Sequence, residues 1–238
     1  MTVGIISAIP EEYSKIQWDE TPKEQTIMDK TFQFGSINGV NVIAAECGIG
    51  KVNAAVTTTL LLAHYGCSSI VFSGVAGGLN PEYKIGDIII GEELIQHDYG
   101  AIVTGELISS LPGSFPALEG SKTEVSYVMS EDMKALLDAS IGKVVKFGKI
   151  LTGDTYLACS ETRKMFHKQF DADAIEMEGA AIAQVCCQWH KPFVVVRVLS
   201  DLAGDDSHVD FDDFVDESSS KAAKIVKKLL PLMDTWDD

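Results

Sequence analysis

Two stretches near the end of the chain carry side chains suited to proton transfer. Ile175-Glu176-Met177-Glu178-Gly179 leads into a helical run of small residues. The apolar run Phe193-Val194-Val195-Val196 is interrupted by Arg197 and closes on Ser200-Asp201. A charge within an apolar strand is costly unless a partner or ligand meets it. In open α/β sheets, ligands bind beyond the carboxyl ends of the strands, so Glu178, Arg197 and Asp201 are candidates for one polar cluster. A buried ion pair between Arg197 and a single acid suits the same residues, and the run alone does not separate the two readings. Glu12 stands just past the first apolar run, behind Pro10-Glu11. An acid there complements the positive end of a helix, and it also lies where a strand-end cluster would draw on it.

Two glycine-rich stretches follow apolar runs. Gly48-Ile49-Gly50-Lys51 is not a phosphate loop, which would require glycine at Ala45 and serine or threonine at Val52. It lacks the third glycine of a dinucleotide fingerprint as well. A tight strand-to-helix turn remains, one that also lets a ligand approach the backbone. Gly74-Val75-Ala76-Gly77-Gly78 has side chains too small to catalyse; it is either a turn or bare backbone against which a flat ligand packs. Asp205, Asp206, Asp210, Asp212 and Asp213 do not have the spacing of a calcium loop. They read as an acidic loop and a helix cap. His97 and His208 are isolated, so no metal site is expected.

The elements that must position these residues alternate. Strands are expected at 3–8, 31–37, 40–46, 69–73, 86–97, 144–152, 174–177 and 192–199. Asn38-Gly39 turns the second of these back on the third. Helices are expected from Pro10, at 52–64, 130–140 with Ser130 as cap, 160–170 with Ser160 as cap, 178–189 and 210–230. Asp210 and Asp213 resemble a cap and its supporting acid. Residues 99–122 read as a long excursion, a class of loop that is often functional. The pattern predicts an α/β single domain, a mixed central β-sheet flanked by helices.

Composition bounds the function. The net charge of −16, with 19 Lys+Arg against 35 Asp+Glu, would repel a phosphate backbone and argues against a nucleic-acid partner. No apolar run approaches the ~20 residues of a membrane span, and the N-terminus lacks the pattern of a secretory signal. The cysteines, at 47, 67, 159, 186 and 187, form no C-x-x-C pair. They suit a reducing cytoplasm, with the adjacent Cys186 and Cys187 packing inside a helix.

Taken in order, Gly4-Ile5-Ile6-Ser7-Ala8 with Glu11-Glu12, Gly48-Ile49-Gly50-Lys51-Val52, Ala76-Gly77-Gly78, Gly86-Asp87-Ile88, Thr152-Gly153-Asp154, Glu176-Met177-Glu178 and Ser200-Asp201 resemble the 5′-methylthioadenosine/S-adenosylhomocysteine nucleosidases of the purine nucleoside phosphorylase superfamily. Each motif is modest, but the ordered set is specific. The resemblance implies one nucleoside phosphorylase-like domain over residues 1–238. It implies hydrolysis of an N-glycosidic bond to release adenine and a 5-thio-substituted ribose, with no cofactor and a place in methionine salvage. Carried over by position, Asp201 protonates adenine N7 and Glu12 activates water, with Arg197 beside it. Met177 and Glu178 hold the ribose hydroxyls. Tyr156 stacks on the base, the Leu157 backbone pairs with its edge, and Ala76, Gly77, Ile49 and Ser200 line the substrate. The chemistry is coherent: adenine leaves poorly as an anion, so a buried acid should protonate it. The sugar becomes oxocarbenium-like, and a carboxylate on its hydroxyls stabilises that cation.

The resemblance further implies a homodimer in which Leu111 and Pro112 approach the partner's site. Two departures bear on specificity. Val75 stands where a small hydroxyl residue is common, and the family's aromatic near Thr104 is missing. Rival readings are a purine nucleoside phosphorylase, which would need arginines or other donors where Pro10-Glu11-Glu12 stands, an AMP nucleosidase, which would need a basic cluster, and a non-catalytic purine-binding protein.

Overall fold

A computed structural model describes residues 1–113 and 126–236. Strand β1 (Thr2–Ser7) lies between two parallel neighbours, β4 (Val40–Glu46) and β5 (Ser69–Gly78). Beyond β4 the sheet continues antiparallel through β3 (Lys30–Ile37) to β2 (Lys23–Ile27) at the edge. Beyond β5 it continues through β12 (Phe193–Asp201), β6 (Ile88–Gln96), β10 (Lys146–Thr152) and β11 (Ala174–Glu176). Because β11 also pairs antiparallel with the end of β5, these five strands close into a ring. The short β9 (Tyr127–Val128) pairs with β6.

Helices cover both faces, so the central strands are apolar on both sides rather than alternating. Ile6, Phe72 and Val195 pack on one face with Leu61 and Ile182, contributed by α2 (Lys51–Thr59, extended by a π-turn to His64) and α5 (Gly179–Gln188). Their chain neighbours Ile5, Val71 and Val196 point to the other face, as the two-residue period of a strand requires. There they meet α6 (Ser207–Thr235) through Leu229 and Met233, and α3 (Glu131–Ile141) through Met133 and Leu137. The single-turn α1 (Pro10–Tyr13) and the surface helix α4 (Ser160–Phe170) complete the set. Among the described residues no helix is long and apolar enough to cross a membrane.

The mixed α/β architecture is the one expected, and Ser130 does cap α3 by accepting the Met133 N–H. Several local expectations need correction. Gly74 to Gly78 is not a turn: β5 runs straight through it, because its small residues let side chains of neighbouring segments press on the backbone. Strand β12 extends to Asp201 instead of stopping at Leu199. The excursion from Tyr99 holds a hairpin, β7 (Gly100–Val103) and β8 (Glu106–Ser109), turned at Thr104-Gly105 with positive φ at both positions. The remainder of that excursion, 114–122, lies outside the described residues. Ser160 is the first residue of α4, after Cys159 at the cap position, and its hydroxyl bonds Asp205 instead. Helix α6 begins at Ser207, which places Asp210 in its first turn and not at the cap. Cys186 is buried as expected, but Cys187 faces outward.

Candidate active site

Arg197 is the hub. It lies in the middle of β12, fully buried, with its guanidinium carbon 3.7 Å from the centre of the Phe72 ring. Its Nη2 donates to Glu176 Oε2 at 2.6 Å and to Glu178 Oε2 at 3.3 Å, while Nη1 stands 3.9 Å from Glu12 Oε1. Burial alone opposes the positive charge, but the carboxylates of Glu176, Glu12 and Glu178 outweigh it and raise the pKa of the guanidinium. Neither reading of Arg197 holds as it stood: it meets three acids rather than one, and Asp201, expected in the same cluster, bonds Ser200 and Ala203 instead. Among the described residues the Nε and Nη1 of Arg197 have no hydrogen-bond partner. Three carboxyl groups face one guanidinium, and burial raises the pKa of two of them, Glu12 and Glu178; positive charge developing beside them favours their ionised forms.

Glu12 comes from α1, whose single turn is started by Pro10. Its Oε2 accepts the N–H of Ala8 at 2.7 Å and of Ile9 at 3.4 Å, and its Oε1 accepts the Val75 N–H at 2.8 Å. The Ile9 contact is the ordinary helix-start role; the Val75 contact ties Glu12 across to β5. Val75 contributes through its backbone, so the lack of a hydroxyl side chain there does not unseat Glu12. Burial raises the pKa of Glu12, against the opposing pull of Arg197 and the three N–H donors. Gly74 closes the packing: a Cβ there would overlap the Arg197 guanidinium and the Glu12 carboxyl.

Glu178 occupies the cap position of α5. Its Oε1 accepts the Gly50 N–H at 2.8 Å while Oε2 faces Arg197. Burial, reinforced by the neighbouring Glu176, raises its pKa, and Arg197 opposes the shift. Glu176 is the residue that organises this corner. Its Oε2 accepts from Arg197 and from the amides of Glu178 and Gly179. Its Oε1 accepts from the Thr152 hydroxyl, which in turn accepts the Ala180 N–H.

Asp201 reaches its place through a β-bulge. Leu199 pairs with Ala76 and Asp201 with Gly77, leaving Ser200 as the extra residue. Such bulges re-aim side chains next to active sites. Asp201 Oδ1 accepts the Ala203 N–H at 2.8 Å and Oδ2 accepts the Ser200 hydroxyl at 3.0 Å. Burial nevertheless raises its pKa. Asp201 lines a cleft with Gly77, Thr155, Tyr156, Leu157, Ile175, Glu176 and Met177. Tyr156 is half exposed over it; its hydroxyl meets Ser207, and its ring meets the edge of Phe211 with centroids 6.5 Å apart.

The structure thus brings Glu12, Glu178 and Arg197 into one cluster and sets Asp201, Gly77, Tyr156, Leu157 and Met177 around one cleft that Glu176 also touches. Ser200 supports Asp201, and Ile49 is exposed in the turn that reaches Glu178. Ala76 departs from the expectation: its side chain belongs to the core, not the cleft. The sequence reading assigned no role to Glu176, Thr152 or Phe211. Glu176 was visible only as part of a motif, and nothing local marked Phe211, which lies in the first turns of α6.

The phosphorylase superfamily profile matches residues 2–231. The chain is 39% identical over 250 aligned positions to a 5′-methylthioadenosine/S-adenosylhomocysteine nucleosidase of Mycobacterium tuberculosis, covering 98% of each chain. The structure of futalosine hydrolase of Helicobacter pylori matches with a TM-score of 0.88 at 30% identity, covering 98% of both chains. That of the Helicobacter pylori 5′-methylthioadenosine/S-adenosyl homocysteine nucleosidase, complexed with an amino-pyrrolopyrimidine carrying a thiomethyl-pyrrolidinol, matches with a TM-score of 0.88 at 29% identity over 98% of both. With a matched profile over nearly its whole length and relatives of this identity and coverage, the chain belongs to the 5′-methylthioadenosine/S-adenosylhomocysteine nucleosidase family of the phosphorylase superfamily.

Proposed function

We propose that this protein hydrolyses the N-glycosidic bond of 5′-methylthioadenosine and S-adenosylhomocysteine, releasing adenine and the 5-thio-substituted ribose. The observation that carries the choice of water over phosphate is Glu12. Its carboxyl lies buried beside Arg197, bonded to Ala8 and Val75. A carboxylate repels a phosphate dianion and suits a water that must lose a proton.

The steps follow from the side chains. Adenine stacks on Tyr156 with its edge along the Leu157 backbone, over Gly77 and the backbone of Ala76. Asp201, whose carboxyl is biased toward its neutral form by burial, gives a proton to N7 as the bond from the base to C1′ breaks. The sugar gains positive charge. Glu178, with Met177 beside it, holds the ribose hydroxyls, and the surplus of carboxylate in the Arg197 cluster stabilises the cation more than the neutral ground state. Glu12 takes a proton from the attacking water, which the unpartnered Arg197 Nη1 helps to seat. Ser200 holds Asp201, and Ile49 borders the sugar.

The expected result is full activity in phosphate-free buffer, with free 5-thioribose as the sugar product. A sugar 1-phosphate whose formation requires added phosphate would establish a phosphorylase instead.

The functional unit is a homodimer. The hairpin of β7 and β8 carries Ile102 and Ile108 exposed, and Ile49 and Val52 are exposed beside the site. Covering these side chains with a second copy removes apolar surface from water. It also brings Leu111 and Pro112, which follow β8, toward the partner's 5′-thio pocket. The five free cysteines suit the cytoplasm. Light scattering at assay concentration should give twice the chain mass; a fully active monomer would mean that the pocket is completed within one chain.

A further inference from the structure

Helix α2 begins without a side chain able to cap it. Gly50 is its cap residue, at φ 102°, and the first N–H groups of a helix need acceptors from elsewhere. Two carboxylates from distant segments supply them. The Gly50 N–H donates to Glu178 Oε1 at 2.8 Å, and the Lys51 N–H donates to Asp154 Oδ1 at 2.9 Å. Both acids sit at the positive end of the helix dipole. Asp154 is itself held: its own N–H donates to Asp98 Oδ2 at 3.0 Å, and Lys51 Nζ donates to Asp98 Oδ1 at 2.6 Å and lies 3.8 Å from Asp154 Oδ2. The result is a closed ring of Lys51 amide, Asp154, Asp98 and Lys51 ammonium. It ties together the Gly48–Lys51 turn, the segment between β6 and β7, and the loop after β10 that carries Thr155, Tyr156 and Leu157 to the cleft.

We propose that Asp154 is a positioning residue for the reaction. Its carboxylate locks the Gly48–Lys51 turn so that the Gly50 amide fixes one oxygen of Glu178, leaving Arg197 to fix the other. The carbonyls of the turn are held locally, Ile49 O by Asn53 Nδ2 at 2.8 Å and Gly48 O by Cys47 Sγ at 3.0 Å, whereas the Gly50 and Lys51 amides point to the two distant carboxylates. A Cβ at Gly50 would stand 3.3 Å from Asp154 Oδ1, so the carboxylate lies directly against the turn it restrains. This inference rests on reading Glu178 as the acceptor for the ribose hydroxyls.

The test is a double-mutant cycle on kcat/KM for 5′-methylthioadenosine. Asp154→Ala should lower it about 10-fold, the scale of a lost helix cap. Asp154→Asn, which keeps an acceptor for the Lys51 N–H, should recover most of that loss. In a Glu178→Gln background Asp154→Ala should cost less than about 2-fold, because residues acting through one another are not additive. If Asp154→Ala does not fold, Asp98→Asn opens the same ring and replaces it in the cycle. Equal losses in both backgrounds, or no loss in a folded Asp154→Ala, would overturn the proposal while leaving the site intact. A Glu178→Gln enzyme with wild-type kcat/KM would remove the sugar-binding reading, and this inference with it.

Discussion

Asp201→Asn should lower kcat by ~10²–10⁴-fold, the usual contribution of a positioned general acid, with the fold unharmed. Asparagine has the same shape, and its carbonyl can still accept the Ala203 N–H that Asp201 Oδ1 accepts at 2.8 Å. Its amide can donate to Ser200, whose hydroxyl then turns around. On the proposed mechanism, what is lost is the proton for adenine. The pH profile separates this from a general loss of structure. The acid must be protonated, and burial raises its pKa, so the wild-type rate falls as pH rises through that value. The asparagine variant should lack this alkaline limb.

The substitution should lower activity without lowering stability. A carboxyl whose folded pKa lies above its unfolded value contributes stability that is full below the unfolded pKa and is lost as pH rises through the folded one. Asp201 is such a group, so the wild type sheds stability as pH rises from the unfolded value through the folded one, and the asparagine variant does not. The variant should melt no lower than wild type at pH 8, and its advantage should shrink toward pH 4. A variant that is inactive and also strongly destabilised at pH 8 would make Asp201 a structural residue. One that retains activity within a few-fold would remove it from the mechanism.

The parts of this site legible in the sequence were those where a charge breaks an apolar run. Arg197 and Asp201 stand out in β12 because nothing else in residues 193–201 carries a charge. Glu12 stands out because proline and two acids follow an uninterrupted strand. What stayed hidden depends on register and long-range packing. That Asp201 faces the cleft follows from the bulge at Ser200, which no local pattern announces. The glycine stretch in β5 reads as a turn on composition, yet its missing side chains make room for Arg197 and Glu12. Strand β2, Lys-Glu-Gln-Thr-Ile at an exposed edge, has no buried face and hence no periodicity to detect. Glu176 was hidden for a different reason: its importance lies in the number of distant groups that converge on it.

Glu12→Gln should also cost ~10²–10⁴-fold in kcat, but with a different signature. In its proposed role Glu12 acts on water in the transition state, so KM should change little. Glutamate must be ionised to accept the proton, so the wild-type rate falls as pH drops through its burial-raised pKa, and the glutamine variant should lack this acid limb. Here the fold does suffer. Glu12 uses one oxygen for the Val75 N–H and the other for the Ala8 N–H, and an amide offers only one acceptor. Whichever way glutamine turns, its NH₂ faces a buried backbone donor, at a cost of about 1–3 kcal/mol for the group left unsatisfied. The variant should therefore melt below wild type at neutral pH, where Asp201→Asn should not. Glu178→Gln should differ from both, raising KM and lowering kcat together, since in its proposed role Glu178 holds the ribose throughout the reaction and more tightly as charge develops. Steady-state kinetics across pH on the three variants, with melting curves on the same samples, distinguishes the roles. If Glu12→Gln raised KM alone and left kcat untouched, the carboxylate would be a binding group, and the water would need another base.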